Sequence, residues 1–220
     1  MKSTLRPLLL LTLSLLSAGQ LLAEKTKVAC LGDSITKRGF PAELATMLDV
    51  ETINAGVAGN TSAQGLHRMN RDVLAKNPDI VVVFFGTNDI RVDAKKHVKL
   101  DDYRKNLQEI INRCQKQGAK VVLCTPPPID TAAYFKRHDQ KIYDDAGGLS
   151  HLLTQYSLAA GEVASKNKVP VVELHQLLLG DKQWMHKDGV HPSPAGNTII
   201  AKHVAIAVRP LLPAASSTKK

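Results

Sequence analysis

Ile80-Val81-Val82-Val83-Phe84-Phe85 is an unbroken apolar run set between Asp79 and Gly86. A strand with one wet face alternates apolar and polar side chains, so a run without alternation belongs to a strand covered on both faces. Such strands occur almost only in parallel sheets, whose crossover connections lay helices over them. The rest of the chain supplies that alternation of elements. Apolar stretches at 28–31, 50–54, 120–124 and 169–174 read as four further strands. Helical spacings fall between them: Phe40, Leu44, Met47 and Leu48; Leu66, Met69, Val73 and Leu74 within 62–76; Tyr103, Leu107, Ile110, Ile111 and Cys114, stopped by Gly118; and 152–166. A last helix starts at Pro194, capped by Ser193, and runs to about Val208. Pro170 cannot donate to a ladder and marks the fifth strand as an edge. The predicted fold is one flavodoxin-like, three-layer α/β/α domain around a five-stranded parallel sheet.

In such a sheet, ligands bind beyond the carboxyl ends of the strands. Gly32-Asp33-Ser34 ends the first apolar run just ahead of a helical pattern that opens at Phe40. Helix N-termini favour developing negative charge there. By itself Gly-Asp-Ser fits a β-turn equally well. Three more motifs follow in order: Gly59 in a Gly-rich turn, Gly86-Thr87-Asn88-Asp89 after the third strand, and Asp188-Gly189-Val190-His191-Pro192 near the end. An Asp-x-x-His pair alone also describes a surface turn. Among eight histidines, His191 stands out because Asp188, three residues earlier, can reach its ring, and Pro192 biases it toward extended backbone.

The four motifs together resemble the SGNH hydrolases, also called the GDSL esterase/lipase family. That resemblance implies a strand order of 2-1-3-4-5. It also implies Ser34 as nucleophile, His191 as general base and acid, and Asp188 as its orienting carboxylate. The oxyanion hole would comprise the backbone N–H groups of Ser34 and Gly59 and the side-chain amide of Asn88. Asp33 and Asp89 are expected to brace these loops rather than react. The reaction would be hydrolysis of a carboxylic ester, with no metal and no organic cofactor required. Compact secreted members of the family resemble carbohydrate O-deacetylases or short-chain esterases, which makes a small-molecule or glycan ester the expected substrate.

Other readings stay open from the sequence. A lysophospholipase or thioesterase would use the same triad with a longer apolar groove, although no apolar lid helix is evident. A glycan-binding protein without catalysis would keep the fold but has no need of Ser34, Asn88, Asp188 and His191 together. A phosphate nest at 32–34 would lack a P-loop or Gly-x-Gly-x-x-Gly. Trp184 and Met185 either wall a small acyl pocket or simply pack beneath a loop. The weakly patterned stretch from Pro126 to about Ser150 is either a functional loop or a variable excursion.

The N-terminus reads as a segment outside the fold. Lys2 and Arg6 precede an apolar stretch at 8–16 and a small, polar end at 17–23, the layout of a secretory signal peptide too short to span a membrane. Cleavage after Gly19 or after Ala23 would both be compatible with it. Residues 1–23 are thus expected to be removed, 24–210 to form the domain and 211–220 a flexible tail, in a secreted or periplasmic protein without stable membrane insertion. Without Lys2 and Arg6 the 29 basic residues become 27 against 20 acidic ones, a net charge of +7. These charges are scattered rather than gathered in a stripe, and aromatics are only 4% of residues, so nucleic-acid binding is not supported. Cys30, Cys114 and Cys124 have no metal-ligand spacing. Buried free thiols fit them, and Cys114–Cys124 is the pair to consider if a disulfide forms. The sequence leaves oligomeric state open.

Overall fold

The computed structural model describes residues 24–214. The expected signal peptide lies outside the described residues, as does the tail from 215 onward. Five parallel strands form one sheet: β1 (Lys27–Gly32), β2 (Glu51–Gly56), β3 (Ile80–Phe84), β4 (Lys120–Cys124) and β5 (Val171–Val172). Their order is β2-β1-β3-β4-β5, as the resemblance implied. Gly32 pairs with Gly56 on one side and Phe84 on the other, and Phe84 pairs with Cys124. The carboxyl ends of the four longer strands are therefore level and share one rim.

Side chains alternate across a strand, and here both faces are dry. Ala29, Leu31, Val81 and Val83 feed one core, whereas Val28, Cys30, Val82 and Phe84 feed the other. Helices lie over both cores. In chain order they are α1 (Ser34–Lys37), α2 (Phe40–Leu48), α3 (Ser62–Asp72), α4 (Leu100–Lys116), α5 (Thr131–Tyr134), α6 (Gln140–Asp145), α7 (Leu149–Asn167), α8 (Leu174–Leu177) and α9 (Pro194–Val208). Residues of α3, α4 and α7 close the first core; Phe40 and Leu44 of α2 close the second with Ile200 and Val204 of α9. Burying each such side chain contributes roughly 1.5–3 kcal/mol. These layers explain why 80–85 lacks polar residues: its strand has no wet face.

Several local expectations need revision. Ser34 opens a one-turn helix of its own, six residues before Phe40. The helix expected over 62–76 stops at Asp72, because Val73 leaves helical geometry and a 3₁₀ turn follows over Leu74–Lys76. The excursion after Pro126 holds α5 and α6, each started by an aspartate side chain that accepts from a backbone N–H. β5 is shorter than its apolar run. It is the edge strand that Pro170 marks, where the Pro170 carbonyl still accepts from Leu123 N at 3.0 Å. All three cysteines are free and buried. Cys114 packs in the first core and Cys124 in the second, so the sheet stands between them and no disulfide joins them. Leu211 and Leu212, at the start of the tail, pack against the second core.

Candidate active site

β1 ends where backbone comes closest to backbone. A Cβ on Gly32 would meet Thr36 Oγ1 at 2.0 Å and the Phe84 carbonyl oxygen at 2.7 Å, so only glycine fits. The chain then turns at Asp33. Its carboxylate accepts from Ile35 N at 2.8 Å, caps α1 and presents Ser34 as the first helical residue above the rim.

Ser34 Oγ lies 2.8 Å from His191 Nε2, and His191 Nδ1 lies 2.6 Å from Asp188 Oδ2. The second oxygen of Asp188 accepts from Val190 N at 3.0 Å and His191 N at 2.9 Å. Burial works against the Asp188 charge, but the hydrogen bonds from the His191 backbone and ring and from Val190 outweigh it. They hold the carboxyl well below its usual range. An ionised Asp188 favours the proton on Nδ1, which leaves Nε2 with its lone pair toward Ser34. The loop bearing this pair is tied down on both sides. His186 N donates to the His191 carbonyl at 2.6 Å, Ser193 N to Trp184 O at 2.8 Å, and Arg137 to the Asp188 carbonyl at 2.5 Å.

Gly59 follows β2 with φ +73°, a left-handed conformation that favours glycine. Lys96 Nζ donates to its carbonyl. Thr61 and Gln64 form a capping box that starts α3 two residues later. Asn88 follows β3 and donates its side-chain amide to Asp33 Oδ2 at 3.0 Å. Asp89 is fully buried and accepts from Ser62 N at 2.9 Å, Ser62 Oγ at 2.5 Å and Gly86 N at 3.1 Å. Both aspartates therefore brace loops, as expected. Burial raises their carboxyls, Asp33 to about 7 and Asp89 to about 6, despite these hydrogen bonds.

Ser34, Gly59, Asn88 and His191 line a single open cleft of about 550 Å³, together with Lys37, Arg38 and Ala58. The five residues singled out in the sequence thus meet at one place, Asp188 from behind His191. Trp184 does not wall this cleft. It is fully buried in the second core, and Met185 packs partly buried against the same cluster. Among the described residues, no group of three or more His, Cys, Asp or Glu side chains is arranged to hold a metal ion. No described helix is long and apolar enough to cross a membrane.

Arg68 is the bracing residue behind the site that sequence reasoning missed. Its guanidinium donates to Asn60 Oδ1 at 2.7 Å, Ala55 O at 2.8 Å, Gly32 O at 2.8 Å and Asp72 Oδ2 at 3.0 Å. It therefore joins the ends of β1 and β2 to the residue after Gly59. The available signal was the Arg68–Asp72 pair at helical spacing beside Met69 on the buried side of α3.

Residues 30–199 match the model of the GDSL-like Lipase/Acylhydrolase family. The isoamyl acetate-hydrolyzing esterase 1 homolog of Rattus norvegicus is 30% identical over 198 residues, covering 81% of this chain and 79% of that protein. An acetylxylan esterase of Xylanibacter ruminicola is 27% identical over 219 residues, covering 83% of this chain; the chain spans 43% of that esterase's length. Among solved structures, an acetyl xylan esterase superposes with a TM-score of 0.69 at 30% identity, covering 83% of this chain and 99% of the other.

Proposed function

This chain belongs to the GDSL-like lipase/acylhydrolase family and is a serine ester hydrolase of that family; from that premise we propose that it removes acetyl or other short acyl groups from carbohydrate or small esters, with Ser34 as nucleophile. The observation that carries the reading is the continuous hydrogen-bonded line from Ser34 Oγ through both nitrogens of His191 to Asp188. A serine hydroxyl needs such a base to attack at neutral pH. The relatives named for acetyl esters support a short acyl group.

In the proposed mechanism, Ser34 Oγ attacks the ester carbonyl as His191 Nε2 takes its proton. Negative charge develops on the carbonyl oxygen, where Ser34 N, Gly59 N and the remaining amide hydrogen of Asn88 would donate to it. Asp188 stabilises the imidazolium without itself taking the proton. The imidazolium then protonates the departing alcohol oxygen, leaving an acyl-enzyme. Water gives a proton to His191 and attacks the acyl carbon; Ser34 leaves with that proton. The products are a carboxylic acid and an alcohol.

The test is hydrolysis of p-nitrophenyl esters from acetate to dodecanoate by protein starting at Glu24, beside Ser34→Ala. The expected result is turnover confined to short chains and lowered by ~10⁴ or more in the variant. Preference for the longest esters would instead make the protein a lysophospholipase or thioesterase, and Ser34-independent turnover would reject the nucleophile. We further propose export, on the basic start and apolar stretch of residues 1–23. N-terminal sequencing of protein recovered outside the cytoplasm tests it, with Gln20 or Glu24 as the expected first residue.

A further inference from the structure

We propose that the ester preferred by this site carries a negatively charged group on its alcohol half, recognised by Lys37 and Arg38. The inference rests on the reading of Ser34 as nucleophile toward a short, uncharged acyl group, which leaves the charge to the alcohol. Lys37 closes the single turn of α1 that Ser34 opens, and Arg38 follows as its C-cap. Residues three apart on a helix are neighbours, with Cβ atoms roughly 5–6 Å apart. The first cation therefore stems from the same turn that presents the nucleophile.

The charge at this cleft is one-sided. Lys37 and Arg38 are exposed and line it, and no aspartate or glutamate does. None of the ion pairs among the described residues involves either cation. The two acids that adjoin Ser34 and His191 are committed elsewhere. Asp33 is buried against Ile35 N and Asn88, and Asp188 is engaged by His191 and two backbone N–H groups. Lys96 adds a third cation at the Gly59 carbonyl. No Phe, Tyr or Trp side chain lines the cleft to offer a neutral sugar a stacking face. Clefts lined by one sign of charge concentrate substrates of the other sign. A carboxylate or sulfate on the alcohol supplies that chemistry.

The test compares acetylated methyl glucuronoside with its neutral carboxamide counterpart, and acetylated glucoside 6-sulfate with the unsulfated acetylated glucoside. The charged ester of at least one pair should be preferred about tenfold in kcat/KM at low salt. That ratio should fall to about twofold at about 0.5 M salt, because exposed charges are screened. It should also fall in Lys37→Gln/Arg38→Gln. Which pair responds separates a carboxylate from a sulfate. Ratios of one or less in both pairs at low salt, or ratios that neither salt nor the substitutions move, would overturn the inference. The salt series needs no variant and holds if the double substitution fails to fold. Loss of p-nitrophenyl acetate turnover in Ser34→Ala, measured in the same series, reports separately on the nucleophile.

Discussion

Asn88 Nδ2 donates to Asp33 Oδ2 at 3.0 Å, joining the turn after β3 to the turn that carries Ser34. Where Asp33 is ionised, the contact fixes which end of the amide is nitrogen, since a carboxylate accepts and the amide oxygen cannot donate. One amide hydrogen is used there and the other is available to the cleft. Asn88→Ala removes that donor and is expected to lower kcat by ~10²–10³ with a smaller change in KM. Asn88→Asp keeps the shape, faces a second carboxylate and should lose at least as much. Steady-state kinetics on p-nitrophenyl acetate decide; a variant with full kcat would remove Asn88 from the proposed oxyanion hole.

Arg68 holds three carbonyl or amide oxygens and a carboxylate from one buried side chain. A lysine ammonium cannot reproduce the planar fork that spans β1, β2 and the Gly59 loop. Arg68→Lys is expected to cost about 2–4 kcal/mol of stability, because buried acceptors lose their donors. Well below its melting temperature it should also lose activity, in kcat more than in KM, since Ser34 and Gly59 are no longer held in register. Urea unfolding and kinetics on the same preparation check both. Unchanged kcat in the folded variant would make Arg68 purely a stability residue.

The sheet was legible because its information is local. Unbroken apolar runs cut by Gly32, Gly86 and Pro126 mark strand ends, and strand ends mark where Ser34 and Asn88 emerge. Asp188 and His191 were legible as a pair because three residues separate them. Their meeting with Ser34 across 157 residues depends on topology, which came from family resemblance. The helices α1, α5 and α6 were not legible, since four to six residues are too few to show a period of 3.6. Arg68 was hidden for a different reason. A charged residue is assigned to the wet face unless its partners are known; Asp72 is an ordinary helical pair on such a face, and the two that bury Arg68 against the strand ends are backbone carbonyls, which any sequence supplies.

Buried acids give this fold a pH dependence. Asp33 and Asp89 are raised by burial, to about 7 and about 6, so between their unfolded values near 4 and those pKa values the native state binds more protons than the unfolded chain. Stability then falls as pH rises through that window. Their contribution is expected to decrease from pH 5 to pH 7.5 by on the order of 1 kcal/mol or more. Urea midpoints across that range, compared with Asp33→Asn, isolate the effect. A native contribution that rises with pH would show both aspartates ionised in the folded protein.

Asp188 behaves in the opposite sense. Its carboxyl is depressed below the ordinary value, so its stabilising contribution is present above that value and is lost only as pH falls through the depressed one. Over any pH at which ester hydrolysis is practical it stays ionised and keeps the His191 Nδ1 proton facing it. Asp188→Asn preserves an oxygen for Val190 N and His191 N but turns an N–H toward His191 Nδ1. The ring then carries its proton on Nε2, facing Ser34, and has no lone pair to offer. A loss of ~10⁴ in kcat is expected at neutral pH. The urea midpoint at pH 7 should change far less than in Arg68→Lys, because both backbone hydrogen bonds survive. A variant that retains most of its kcat would show that Ser34 draws on a base other than His191.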